Sequence, residues 1–321
     1  MHLVIGTDKF LGRGVATALR ADVPVIELGS DADEQTLREV VAGVEVVVFC
    51  GQGWAPDRRL RYRKRIPELT ERVVEAAIAA RIRRLVHVST ADVFGSEQPA
   101  ARITEKAIPK PTHAYEKLRL FEEEWVLEAA GDELEVVVVR PARVFGEGEE
   151  WILPRLLSAA VHGRLWMPNG GQSRQTFVHV EDVGRACLAA SDRGRPGHRY
   201  LVGGFDGSWA ELVLSSARAV GFAADIGSLP YDLFFLRALA AETFSAPGAP
   251  VWPGIYAVDV LGRRRSYDDS HSRRELTWSP SVGSFEQEMP AMARWLSQLP
   301  DVASALVEPQ ENAEVTSPPG R

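Results

Sequence analysis

Tyr115 and Arg119 are the two side chains of this chain best placed by type and spacing to handle a proton. They stand four residues apart in Thr112-His113-Ala114-Tyr115-Glu116-Lys117-Leu118-Arg119. Residues at that spacing share one face of a helix. A fixed positive charge beside a phenol favours its ionised form. Lys117 lies two residues on, about 200° round the helix, and is a poor partner. A second grouping is the glycine turn Gly6-Thr7-Asp8-Lys9-Phe10-Leu11-Gly12, directly after the apolar run His2-Leu3-Val4-Ile5. Glu27 follows about 20 residues later, the spacing of an acid that holds a dinucleotide's ribose. An edge or surface carboxylate is the other reading of Glu27.

Other residues admit two readings each. His87 and His179 lie in strand-like apolar runs and read as core histidines, while His113 sits close to Tyr115 and either touches substrate or belongs to a loop. Trp54, Trp151, Trp166, Trp209 and Trp252 fall in loops or in the later part of the chain. They either line an apolar substrate pocket or pack the core. Arg58-Arg59-Leu60-Arg61-Tyr62-Arg63-Lys64-Arg65 either binds an anion or forms a solvated face. Neither a Ser/His/Asp nucleophile motif nor a zinc signature is present, so no metal is expected.

The elements that must position these groups alternate. Short Val/Ile-rich strands are expected at 2–6, 23–28, 44–49, 85–89 and 134–140, and helices at 10–20, 33–42, 66–80 and 114–130. Such alternation predicts right-handed βαβ units in an α/β, Rossmann-like doubly wound parallel sheet. After Arg140-Pro141 the texture shifts to more Gly, Pro and Trp, with short helices at 151–162, 181–191, 208–220, 231–243 and 286–298. The division expected is a sheet domain over 1–145 with one βα unit missing and a smaller substrate-binding region over 146–304, interleaved with the sheet. A disordered tail is expected over 305–321, where few apolar residues remain.

With 321 residues, 45% hydrophobic and 25% charged, the chain suits a soluble globule. A net charge of −7 gives no global basic footprint for nucleic acid. No apolar run approaches the ~20 residues of a membrane span. Cys50 and Cys187 both lie in apolar stretches, as buried thiols of a reducing cytoplasm do. A cytoplasmic protein acting on a small molecule is the expectation.

Over residues 2–300 the motifs fall in a familiar order. They are the turn at Gly6, Val88-Ser89-Thr90, Tyr115, Arg140-Pro141-Ala142-Arg143-Val144-Phe145-Gly146, Phe177-Val178-His179-Val180-Glu181-Asp182-Val183, and Arg273-Arg274-Glu275-Leu276-Thr277-Trp278-Ser279-Pro280. This order resembles the extended short-chain dehydrogenases/reductases, the NAD-dependent epimerase/dehydratase superfamily. Pro154-Arg155-Leu156-Leu157-Ser158-Ala159-Ala160 with Gly163-Arg164, and Leu229-Pro230-Tyr231-Asp232-Leu233-Phe234-Phe235, look like its 3β-hydroxysteroid dehydrogenase branch. That likeness implies a bulky, apolar substrate.

The resemblance implies that Tyr115 is a general acid/base, that Thr90 polarises the substrate oxygen, and that Gly6, Gly12 and Pro141 face a bound NAD(P). It also exposes departures. Arg119 stands where the family has a lysine that lowers the tyrosine's pKa and holds the nicotinamide ribose. Arginine's planar fork does not superpose on an ammonium. Lys9 takes the slot of the middle glycine, where it either reaches a phosphate or fills its space, and Asp8 adds an anion beside it. Ser30 and Ile66 stand where the family has Asp and Asn. A homodimer is a family-based expectation.

Two enzymatic readings remain. In the first, Tyr115, Thr90 and Arg119 carry out non-redox chemistry (cyclisation, isomerisation or dehydration) on a polycyclic or polyketide-like molecule contacted by His113, Trp54, Trp151 and Trp166, with nicotinamide binding weakened or lost. In the second, Lys9 and Arg119 are working substitutions in an NAD(P)-dependent oxidoreductase. A non-catalytic binding protein on the same fold is a third.

Overall fold

The computed structural model of the protein describes residues 1–51, 67–96, 102–246 and 251–307. Its first part alternates strictly: β1 (His2–Ile5), α1 (Phe10–Arg20), β2 (Val25–Leu28), α2 (Glu34–Val41), β3 (Val46–Phe49), α3 (Glu68–Ala79), β4 (Arg84–Val88), α4 (Ala114–Ala130) and β5 (Glu135–Pro141). Then come β6 (Arg143–Phe145), α5 (Leu153–Val161), β7 (Leu165–Pro168), β8 (Gln175–His179), α6 (Val180–Arg193) and β9 (Arg199–Val202). β10 (Phe205–Gly207), α7 (Trp209–Ala219), β11 (Ile226–Leu229), α8 (Tyr231–Phe244), α9 (Ile255–Gly262), α10 (Ser270–Leu276), α11 (Phe285–Ser297) and α12 (Pro300–Val307) complete the described chain.

Six strands form one parallel sheet in the order β2-β1-β3-β4-β5-β9. Alternate residues of its strands face opposite layers, as the period of two requires. Val4, Val46, Val48, Val86, Val88, Val137 and Val139 pack with Val15, Ala16 and Leu19 of α1 and Val183 and Ala186 of α6. Leu3, Ile5, Val47, Phe49, Leu85, Val136 and Val138 pack with Leu37 of α2, Leu69 and Val73 of α3 and Val126 of α4. Helices on both faces explain the near-continuous apolar strands. Gly184 sets the spacing of the first layer, because a Cβ there would come within 2.5 Å of Ala18 Cβ.

A third apolar cluster joins α5, α7, α11 and α12 around Phe145, Leu157, Phe177 and Leu212. Six strands after Pro141 and the helices α9, α10 and α12 were not expected; all are eight residues or fewer, too short to give a clear period in sequence. α12 runs three residues past 304, and residues 308–321 lie outside the described ones. No described helix is long and apolar enough to cross a membrane.

Candidate active site

A cavity of about 680 Å³ opens at the carboxyl ends of the sheet strands, where α/β sheets bind ligands. Its walls come from the start of α1, the ends of β3 and β4, the first turns of α4, the β5–β6 corner, and α5, α7 and α9. Thr90, Tyr115, Arg119, Lys9, Pro141 and Trp151 all line it.

Thr90 directly follows β4. Its hydroxyl accepts from the Asp92 backbone N–H at 3.1 Å, capping the short turn Ala91–Phe94. Tyr115 sits in the first turn of α4, its ring 5.6 Å from that of Tyr256. Tyr256 in turn lies flat against Trp151, at 5.6 Å and 8°. Burial pushes the Tyr115 phenol up, helped by Asp92 and Glu122 and resisted by Arg119 and Arg143. Arg119 is one turn further along α4, but its guanidinium points inward. It donates to the Val88 carbonyl and to Glu122, each at 2.5 Å. Gly51, with φ of +78°, makes room for it: a Cβ there would lie 3.2 Å from Arg119 Nη1.

Around Tyr115 lies a buried polar network that no local sequence pattern announces. Asp92 accepts from Tyr256 Oη at 2.7 Å, from Arg265 at 2.9 Å and from Arg143 at 3.1 Å. Burial opposes the Asp92 charge, yet the two guanidiniums and the phenol hold its pKa below the usual carboxylate range. Arg265, 2% exposed, also reaches Ser96 and Glu116. Glu149 accepts from the backbone N–H groups of Trp151, Ile152 and Leu153 at the start of α5. Burial nonetheless raises its carboxyl. Asp92 and Arg143 fall inside motifs legible in sequence. Tyr256, Glu149 and Arg265 carry no local signal, because only the tertiary fold brings them here.

At the other end, β1 turns into α1 through Gly6, whose φ is +97°, and Gly12, where a Cβ would lie 2.1 Å from the Gly6 carbonyl oxygen. Both glycines are therefore needed for the turn itself. Lys9 is the N-cap of α1, in extended backbone, and no acidic residue occupies the first turn. The unpaired N–H groups of a helix start suit an anion. Asp8 is already engaged: it accepts from the backbone N–H and hydroxyl of Ser30 at 2.6 and 2.8 Å, and Lys9 Nζ lies 3.1 Å from it.

A profile of the NAD dependent epimerase/dehydratase family matches residues 2–203. The chain belongs to that family. It is 30% identical over 273 residues to the 4-hydroxy-2-methyl-3-oxo-4-farnesyl-3,4-dihydroquinoline-1-oxide ketoreductase of Stigmatella aurantiaca, covering 79% of this chain and 78% of that one. It is 26% identical to a 2-alkyl-3-oxoalkanoate reductase of Stenotrophomonas maltophilia, covering 61% and 66%. In structure it is similar to UDP-glucuronic acid 4-epimerase from Bacillus cereus in complex with NAD, with a TM-score of 0.70, 18% identity and 93% and 99% of the two chains covered. A dTDP-glucose 4,6-dehydratase from Bacillus anthracis, also with NAD, gives 0.67, 19%, 92% and 95%. The chain is thus an enzyme of the extended short-chain dehydrogenase/reductase fold.

Two residues expected at the substrate are not brought to the cavity wall of this family member. Trp166 lies on β7, 47% exposed, under the Arg164 guanidinium at 4.9 Å. His113 precedes α4 and gives its ring to Asp259 at 2.7 Å. Trp54, Ile66 and the basic run 58–65 lie outside the described residues. Trp209 lines the cavity, with its indole N–H on the Val260 carbonyl at 3.1 Å. Glu27 lies on the edge strand β2, paired with Arg20 at 2.7 Å. Cys50 lines the cavity, its thiol pushed up to about 12 by burial. Among the described residues no group of three or more His, Cys, Asp or Glu side chains could hold a metal ion.

Proposed function

We propose that the protein transforms a bulky, apolar carbonyl compound by proton transfer without hydride transfer, and that its dinucleotide binding is weakened or lost. Tyr115 gives its proton to the substrate oxygen, Thr90 polarises that oxygen, and the Tyr256–Trp151 stack supports a flat ring system. The orientation of Arg119 carries this proposal. A nicotinamide ribose in this family needs a cation beside the tyrosine, and here that cation is bound to Val88 and Glu122 instead. The adenosine end points the same way, since Asp8 is spent on Ser30 and places a carboxylate where a polyanion would lie. Tyr115 is neutral and so carries the proton it gives, although burial raises its pKa and makes it a weaker acid. General acid catalysis of this kind supports isomerisation, cyclisation or dehydration.

A second reading is an NAD(P)-dependent ketoreductase of the same substrate class. It is favoured by the two reductases among the relatives and by the open start of α1 with Lys9 beside it. Calorimetry with NAD⁺, NADH, NADP⁺ and NADPH, with an absorbance scan for co-purified nucleotide, separates the two. The first reading expects no saturable binding below millimolar concentration. Micromolar binding of any of the four overturns it in favour of the second.

A further inference from the structure

We propose that Glu122 is a positioning residue: it draws the Arg119 guanidinium onto the floor of the cavity and balances its charge, so that Tyr115 meets substrate as a neutral phenol. This rests on Tyr115 being the acid, but it is tested on the phenol itself and not on turnover. Arg119, Glu122 and Tyr115 occupy α4 at spacings of three and four, so they share one face of the helix. One Glu122 oxygen accepts from Arg119 Nη1 and the other from the Thr70 hydroxyl, both at 2.5 Å, and Glu122 is 1% exposed. A buried carboxylate held from two sides has one geometry, and it fixes the guanidinium it holds.

The surrounding charges leave this task to Glu122. Arg119 also faces Glu123 and Cys50, but Glu123 is bound by Arg140 at 2.6 Å and by the Ser89 hydroxyl, and the Cys50 thiol stays protonated. His87 lies against the same groups from β4, and burial pulls its pKa down to about 4, so it is neutral near pH 7. Tyr115 further faces Asp92 and Arg143, which pair with each other at 3.1 Å, and Tyr256, whose hydroxyl is bound to Asp92. Among the described residues Glu122 is therefore the anion that contacts Arg119, and removing its charge leaves beside the phenol a cation with only the already paired Glu123 near it.

The test is a spectroscopic pH titration of tyrosinate absorbance, with Tyr115 isolated by subtracting the matching Tyr115→Phe protein. In Glu122→Gln, which keeps the side chain's size, Tyr115 is expected to ionise at lower pH than in the wild type. In Glu122→Gln/Arg119→Met it is expected to return upward. A folded Glu122→Gln protein whose Tyr115 titrates with the wild type overturns the proposal, because a merely structural carboxylate would not move this signal. If Glu122→Gln does not fold, Glu122→Asp withdraws the carboxylate by one methylene. A smaller downward shift then supports the proposal, and an unchanged titration overturns it. Nucleotide binding plays no part in the readout, so the proposed function can fail while this inference stands, and the reverse.

Discussion

The two ends of the cavity treat their charged groups differently. At the β4–α4 end, Thr90, Tyr115 and Arg119 all line the cavity, but the Arg119 guanidinium is bound to Val88 and Glu122. At the β1–α1 end the backbone of the glycine turn survives intact, but its side chains pair with one another: Asp8 with Ser30 and Lys9 with Asp8. Backbone and fold are kept at both ends, and the proton-bearing hydroxyls only at one. On the function proposed above, such a site would keep acid chemistry while the groups that would grip a dinucleotide are satisfied internally.

The sharpest way to break this comparison is Tyr115→Phe. It should lower kcat/KM by about 10²–10⁴, the span of a general acid, with substrate affinity retained in calorimetry. An unchanged turnover would remove the distinction between the two ends. Next comes the acid sensitivity of the sheet beneath Arg119. His87 is neutral in the folded protein, its pKa near 4 through burial against an ordinary 6.5. The unfolded chain therefore binds the proton first as pH falls. Stability present above pH 6.5 should be lost between 6.5 and 4, by about 3 kcal/mol. His87→Leu should flatten that part of the stability curve in denaturant titrations; a curve still falling there would place the acid lability elsewhere. At the glycine-turn end, Asp8→Ala should strengthen binding of any of the four nucleotides by about tenfold, about 1.4 kcal/mol, as measured calorimetrically. No gain would mean that Asp8 is not what opposes them. The smallest effect is expected at Glu27→Ala. Its pairing with Arg20 is solvent-exposed, so the loss should stay within about 0.5 kcal/mol and nucleotide titrations should not move. A clear change in the latter would return Glu27 to the ribose.

The sheet was legible because its signals are local. Val46-Val47-Val48 and Val136-Val137-Val138-Val139 are buried on both faces, and a run of β-branched residues says so directly. Thr90, Tyr115 and Pro141 were named through the family resemblance, and the alternation places each at a strand end or a helix start. The inward turn of Arg119 was not legible. The guanidinium is bound by Glu122, three residues along the same helix, and Glu122 is bound in turn by Thr70, 52 residues before it. A side chain's direction is decided by partners that sequence order does not bring near. Which of two readings Trp166 and His113 would take was not legible for the same reason: an aromatic or imidazole near a motif in sequence finds Arg164 or Asp259 in space.

Arg265 has a consequence for how this molecule is made. Asp92 and Glu116 are built into the first part of the chain, and both are buried, 6% and 0% exposed, with Arg265 reaching each of them. A ribosome extends the chain from its amino end, so Asp92 and Glu116, destined for a water-poor interior, emerge 173 and 149 residues before this counter-ion. An unmatched buried charge is among the costliest things a fold can hold. Asp92 meets Arg143 51 residues on, but Glu116 has to wait for Arg265; until it arrives the start of α4 has reason to stay hydrated and open, and the Tyr115 end of the cavity is expected to close last, after the sheet that carries it has set.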